Sequence, residues 1–222
     1  MSESRSRGTE STREVIVETA LRLFRERGFD ATTMRAVAAE AGVSVGNAYY
    51  YFDSKEALIQ AYYDRAQAEH EAACRELLAT EEAFAARLEG VLREWVRVSE
   101  PYHEFAVKFF KHAAEPTNPL SPFSAQSSPA REAAVAIYRQ VVEGSRDRMD
   151  TELRAELPEL LWLVSMGTVL FWVHDTSPGC ARTYRLIEVT VPLIDRLVGL
   201  SYLPGLRGIT KDFIAVVHEL RQ

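Results

Sequence analysis

Apolar residues recur at helical spacing along most of the chain, and no run alternates in the two-residue period of a half-buried strand. Behind Thr12, which can cap a helix, Val15, Ile16, Thr19, Ala20, Leu23 and Phe24 share one face until Gly28 stops the pattern. A second, shorter pattern opens at Thr32 or Thr33 and turns Met34, Val37, Ala38 and Ala41 inward. Gly42 supplies the positive φ that ends it, and Ser44 caps a third segment running into Tyr49, Tyr50, Tyr51 and Phe52. Further on, helices are predicted from Ser54 to about Ala79 and from Glu81 to about Val98 behind Thr80. Others follow from Tyr102 to Ala114 behind Pro101 and from Arg131 to about Glu143. The last run from Glu159 to about His174 behind Pro158, from about Ala181 to Leu200, and from about Thr210 to Leu220. Residues Glu115 to Pro129, with four prolines and several serines, read as a loop able to lid a cavity. The fold class expected is all-α, with about nine or ten helices.

Two short helices joined by a glycine turn form the helix-turn-helix plan, in which the second helix enters the DNA major groove. Candidate DNA contacts are therefore Thr33, Arg35, Ser44, Val45, Gly46, Asn47, Tyr49, Tyr50, Tyr51 and Lys55. Val45, Gly46, Asn47 and Tyr50 lie at or near the end of the second helix that reaches base edges, and an asparagine amide pairs bidentately with adenine. Four consecutive aromatics span a full turn, so they cannot all face one core. Thr33 and Lys55 sit where a hydroxyl and an ammonium can hold phosphates.

The stretch from about Arg13 to Leu58 is similar to the tetracycline-repressor (TetR) family of bacterial regulators. The resemblance is carried by Ala20 to Phe24, Gly28-Phe29, Thr32-Thr33, Arg35, Val37-Ala38, Ala41 to Ser44, Gly46, Tyr49, Phe52 and Ser54 to Leu58. It implies that Tyr49 and Phe52 pack inward, leaving Tyr50 and Tyr51 for DNA, and that Arg35 reaches a guanine edge or a phosphate. It implies a homodimer as well. The family often carries Lys, Arg or Thr where this chain has Val45 and Asn47, so base preference is not transferred. The domains expected are a disordered tail over 1–11, a helix-turn-helix domain over 12–53, and an effector-binding and dimerisation domain over 54–222.

The net charge is −6, and all of it lies beyond residue 55, because the first 55 residues hold eight Lys or Arg against eight Asp or Glu. The net charge argues against indiscriminate binding of nucleic acid. A neutral reading head on an acidic body can still present a local basic surface if Arg35, Lys55 and the tail residues Arg5 and Arg7 point the same way. Two cysteines, Cys74 and Cys180, give neither a disulfide framework nor a metal spacing and suit a reducing cytoplasm. The first residues do not form a signal peptide, and the most apolar stretch, Leu160 to Val173, is shorter than the about 20 residues a bilayer requires. Histidines 103 and 112 lack metal-ligand spacing, and neither a glycine-rich phosphate loop nor a GxSxG elbow occurs. No metal, no cofactor, no membrane and no enzyme activity are expected.

Leu160 to His174 is apolar almost all round and needs cover on every side. A second copy of the chain can supply it, through Leu161, Val169 and Trp172 with Ile187, Val191, Ile194 and Val198 of the next helix, as a four-helix bundle. Phe84, Trp95, Tyr102, Phe105, Phe109, His112, Tyr138, Trp162, Met166 and Phe171 supply the aromatic and flexible apolar groups of a small-molecule pocket. The function expected is a cytoplasmic homodimeric repressor that binds a palindromic duplex operator and is released by a small apolar or aromatic effector. The alternative keeps the reading head and makes the body a protein-docking module.

Overall fold

The computed structural model describes residues 2–115 and 117–203, together with Ala215 and Glu219. Its helices are α1 (Ser2–Arg27), α2 (Met34–Glu40), α3 (Val45–Tyr51), α4 (Lys55–Thr80) and α5 (Phe84–Ser99). They continue with α6 (His103–Ala113), α7 (Ser128–Glu143), α8 (Thr151–Val173) and α9 (Ala181–Ser201). Among the described residues the fold is all-α. The helix expected over about Thr210 to Leu220 lies outside them, apart from Ala215 and Glu219.

Two compact units share these helices. The first comprises Met1–Ala66 and Pro101–Arg131, the second Gln67–Glu100 and Glu132–Gln222. The sequence divides the chain by role at residue 53, whereas packing adds the start of α4, all of α6 and the loop before α7 to the reading head.

In the first unit, Ile16, Ala20, Leu23 and Phe24 of α1 share a core with Val37 and Ala38, Ala48 and Phe52, Leu58, Ile59 and Tyr62, and Phe105 and Phe109. Helix α1 is drawn from Ser2, so Thr12 lies inside it instead of capping it. The aromatic column Phe24, Phe105 and Phe109 stacks at centroid distances of 6.3 and 5.2 Å, with Phe29 set against both Phe24 and Phe109. Polar ties reinforce this packing. Lys108 donates to the carbonyl of Arg25, and Arg65 pairs with Glu18 and donates to the Tyr102 hydroxyl.

The second unit is built around Phe84, Leu88 and Val91, Ile137 and Val141, Leu161 and Trp172, and Ile187 and Val191. Arg87 is buried among them, its guanidinium spent on the backbone carbonyls of Leu78, Glu81, Gln140 and Val141. Burial pushes the His70 imidazole below its ordinary pKa and the Cys74 thiol up to about 12.

Helix α8 corrects the sequence expectation. It starts at Thr151, where Asp150 accepts from the amides of Glu152 and Leu153, and it carries Pro158 in its interior. An interior proline forfeits a ladder bond and costs about 3 kcal/mol. Burial of Leu153, Leu157, Pro158 and Leu161 on one side offsets that loss. At 23 residues the helix is long and apolar enough, by length and composition, to cross a bilayer. Its buried face packs instead within the second unit.

The turn from α8 into α9 passes through Gly179 and Cys180, both at positive φ, a conformation that costs a cysteine backbone strain. Asp175 holds that turn. Burial alone raises its carboxyl, but hydrogen bonds from the side chains and amides of Ser177 and Thr183 outweigh this and hold it down to about 2.

Candidate nucleic-acid interface

The helix-turn-helix is set by its caps. Thr33 Oγ1 accepts from the Ala36 amide at 3.2 Å, and Ser44 Oγ accepts from the Asn47 amide at 3.1 Å. Thr32 is buried and points the other way, donating to the Gly28 carbonyl at the end of α1. Between the helices Gly42 takes φ 69°, which an L side chain rarely adopts, and Val43 donates back to Ala38 across the turn. Glu40 closes the corner against α1, where hydrogen bonds from Arg22 and then the charge of Arg22 and Arg27 lower its carboxyl pKa.

Helix α3 has seven residues, of which Ala48 alone is buried. Its outer face carries Val45 at 38% exposure, Asn47, Tyr49 at 51% and Tyr50 at 79%, with Gly46 between them. Arg35 of α2 is also exposed. Eight of the ten sequence candidates, Thr33, Arg35, Ser44, Val45, Gly46, Asn47, Tyr49 and Tyr50, are thus exposed.

Two assignments change within the aromatic run. Tyr49, expected inside, faces out, while Tyr51, expected at the DNA, is half-buried against the core. Ala48 and Phe52 occupy the inward positions at a four-residue interval, which rotates Tyr49 away from the core and leaves Tyr51 beside it. The Tyr51 ring meets that of Tyr50 edge-on at 5.3 Å and braces it.

Lys55 also differs from expectation. Its Nζ donates to the Phe29 carbonyl at 2.7 Å, approaches that of Asp30 at 3.5 Å, and lies 4.5 Å from the centre of the Phe29 ring. An ammonium seated on two carbonyls and a ring fastens the loop between α1 and α2.

The ten effector-pocket candidates are divided between the two units. Tyr102, Phe105, Phe109 and His112 belong to the first unit, where Phe105 and Phe109 fill the core and His112 lies 3.5 Å from the Asp30 carboxylate and against the rings of Phe29 and Phe109. Phe84, Trp95, Tyr138, Trp162, Met166 and Phe171 belong to the second. There Phe84, Tyr138 and Trp162 are buried, Trp95 stands edge-on to Trp172 at 5.1 Å, and Phe171 is exposed. A cleft of about 410 Å³ in the first unit is lined by Glu18, Arg22, Arg25, Tyr102 and Phe105, which sequence reasoning did not anticipate as a group. Among the described residues, no group of three or more His, Cys, Asp or Glu is placed to hold a metal ion.

The expected dimer residues are corrected too. Leu161, Trp172, Ile187, Val191 and Val198 are buried in their own unit, and Val169 and Ile194 are half-buried. The apolar side chains left exposed are Leu163, Leu170 and Phe171 of α8 and Val189, Leu193, Leu197 and Leu200 of α9. On α9 they fall at intervals of four, four and three residues, one continuous face.

Comparison with known proteins decides the family. The model described as "Tetracyclin repressor-like, C-terminal domain" matches residues 87–213, more than half of the chain, and that described as "Bacterial regulatory proteins, tetR family" matches residues 16–62. The chain belongs to the TetR family. It is a helix-turn-helix transcriptional regulator of that family.

Among curated TetR-family relatives, the uncharacterized HTH-type transcriptional regulator YerO of Bacillus subtilis is 49% identical over 47 residues. That match covers 21% of this chain and only 16% of YerO's length. The HTH-type transcriptional repressor KstR2 of Mycobacterium tuberculosis is 27% identical over 209 residues, 91% of this chain and 94% of that protein. Among solved structures, Bacillus subtilis FadR in complex with stearoyl-CoA superposes with a TM-score of 0.63 at 16% identity, over 80% of this chain and 97% of that one. At that identity the likeness speaks of the TetR fold.

Proposed function

We propose that this TetR-family regulator is a cytoplasmic repressor that binds a roughly palindromic duplex operator as a two-fold homodimer and leaves it when a small apolar or aromatic molecule binds its body. The observation that carries the reading is the outward face of α3, where Val45, Asn47, Tyr49 and Tyr50 stand in solvent on a helix whose buried side is a single alanine. A seven-residue helix so exposed contributes little to stability and offers its side chains to a partner. The repressor sense follows KstR2, a named repressor matched over nearly its full length.

Dimerisation is supported by the leucine-rich face of α8 and α9, an apolar stripe that a second copy covers by the same residues across a two-fold axis. Two reading heads on that axis engage half-sites about 34 Å apart. An apolar effector is supported by the aromatic interior of the second unit, and FadR, which shares the fold, holds stearoyl-CoA.

A mobility-shift titration with matched and scrambled duplexes tests the reading. Asn47→Ala should weaken binding to the matched duplex by about tenfold or more, the cost of a lost bidentate base contact, and leave the scrambled duplex unchanged. Equal binding of both duplexes by the unaltered protein would overturn it.

A further inference from the structure

Each base pair offers the major groove a different set of groups. Guanine presents two acceptors, which paired donors of Arg or Lys satisfy; cytosine presents a donor, which a carboxylate accepts; adenine presents one donor and one acceptor; thymine adds a methyl group. The composition of α3, VGNAYYY, is selective against this list. It holds no Arg or Lys for guanine and no Asp or Glu for cytosine. Asn47 supplies the acceptor and donor pair that fits adenine. Beside it, Val45, Tyr49 and Tyr50 expose apolar surface, and the groove's apolar counterpart is the thymine 5-methyl.

Beyond α3, one exposed cation is at hand. Arg35 on α2 is the only Arg or Lys between residues 33 and 52. Glu40 is engaged by Arg22 and Arg27, and Lys55 by the carbonyls of Phe29 and Asp30.

Two further features suit contact with a methyl-lined groove floor. A Cβ placed on Gly46 meets nothing within 4 Å, and Gly46 is not among the positive-φ glycines, so the fold itself makes no demand for glycine there. The missing side chain serves an approach from outside. Tyr51, half-buried, braces the Tyr50 ring edge-on and keeps it projecting.

We infer that each operator half-site is centred on A·T base pairs, with thymine methyl groups packed against Val45, Tyr49 and Tyr50 and an adenine edge bonded to the Asn47 amide. This rests on the reading of α3 as the groove-facing helix. It makes Val45 and Tyr50 specificity-determining residues for thymine, a task that charge-based contacts do not perform.

The test uses the full-length protein to select from duplexes with a randomised core. The enriched duplex is then resynthesised with deoxyuridine in place of each thymidine, one at a time, which deletes the methyl and keeps the pairing. A·T-rich cores are expected, with binding weakened about fourfold at each contacted position, the factor that one buried methylene-sized group carries. In Val45→Ala and in Tyr50→Ser, each checked for unchanged helicity by circular dichroism, the penalty for deoxyuridine should disappear at one position or more. Enriched G·C cores, or deoxyuridine tolerated at every position, would overturn this inference and leave sequence-specific DNA binding standing. Failure to enrich any sequence would overturn both.

Discussion

Helix α3 and the α8–α9 pair both leave large apolar side chains in water, yet the two faces suit different partners. On α3 the exposed groups are a valine and two tyrosines around an amide, so apolar surface alternates with hydrogen-bonding groups. On α8 and α9 they are leucines, a valine and a phenylalanine at helical spacing, with no polar handle of their own. A duplex groove is polar and demands both kinds of contact, whereas a second copy of an aliphatic stripe demands only cover. Exposure alone does not reveal the partner.

Breaking the aliphatic face should have the largest effect. Replacing Leu193 and Leu197, 56% and 68% exposed, with aspartate leaves the core of the second unit intact and places four charges at a two-fold contact. Sedimentation should show a monomer where the unaltered chain sediments as a dimer. Operator affinity should fall by about 100-fold or more, the gain that linking two binding modules normally confers. A double variant that remains dimeric would remove α9 from the interface.

The two faces also differ in how much of them could be read from sequence. The helix-turn-helix was legible because its signals are local: caps at Thr33 and Ser44, a glycine forced to positive φ, and a short apolar period. The orientation of the aromatic run was not, since Tyr49, Tyr50, Tyr51 and Phe52 are chemically alike and only packing distinguishes Tyr49 outside from Tyr51 half inside. On α9 the difficulty is sharper. Ile187, Val191 and Val198 form one apolar stripe, and Val189, Leu193 and Leu197 form another. Periodicity finds both stripes and cannot say which faces the chain's own core.

The start of α8 was missed for another reason. Pro158 normally marks a helix start, and the burial that carries the helix through it depends on residues distant in sequence. The contacts of Lys55 are not legible in sequence because the carbonyls of Phe29 and Asp30 that hold it lie 26 and 25 positions away, beyond any local pattern.

Lys55 sharpens the contrast between reading DNA and supporting the reader. If its ammonium secures the loop between α1 and α2, Lys55→Ala should lower stability by about 2 kcal/mol, the range for a hydrogen bond from a charged group together with a weak cation–π contact. The same variant should change the salt slope of operator binding by less than about one, because a phosphate contact is not the main thing removed. Thermal unfolding and binding at two salt concentrations measure the two quantities on one preparation. A full unit of slope lost without loss of stability would return Lys55 to the DNA.

Gly46 separates folding from recognition most cleanly, although its energies are small. The fold has room for a side chain there and does not require positive φ, so Gly46→Ala should stabilise the protein by about 0.5–1 kcal/mol through lower backbone entropy in the unfolded chain. A groove-facing helix pays for that methyl group differently, because it must stand farther from the base edges that Asn47 and Val45 reach. The variant should therefore melt higher and bind its operator more weakly, while non-specific binding stays unchanged. Stability and specificity moving in opposite directions at one residue is the signature expected of a surface shaped for a ligand; if operator affinity rose with melting temperature, close approach of α3 would lose its support.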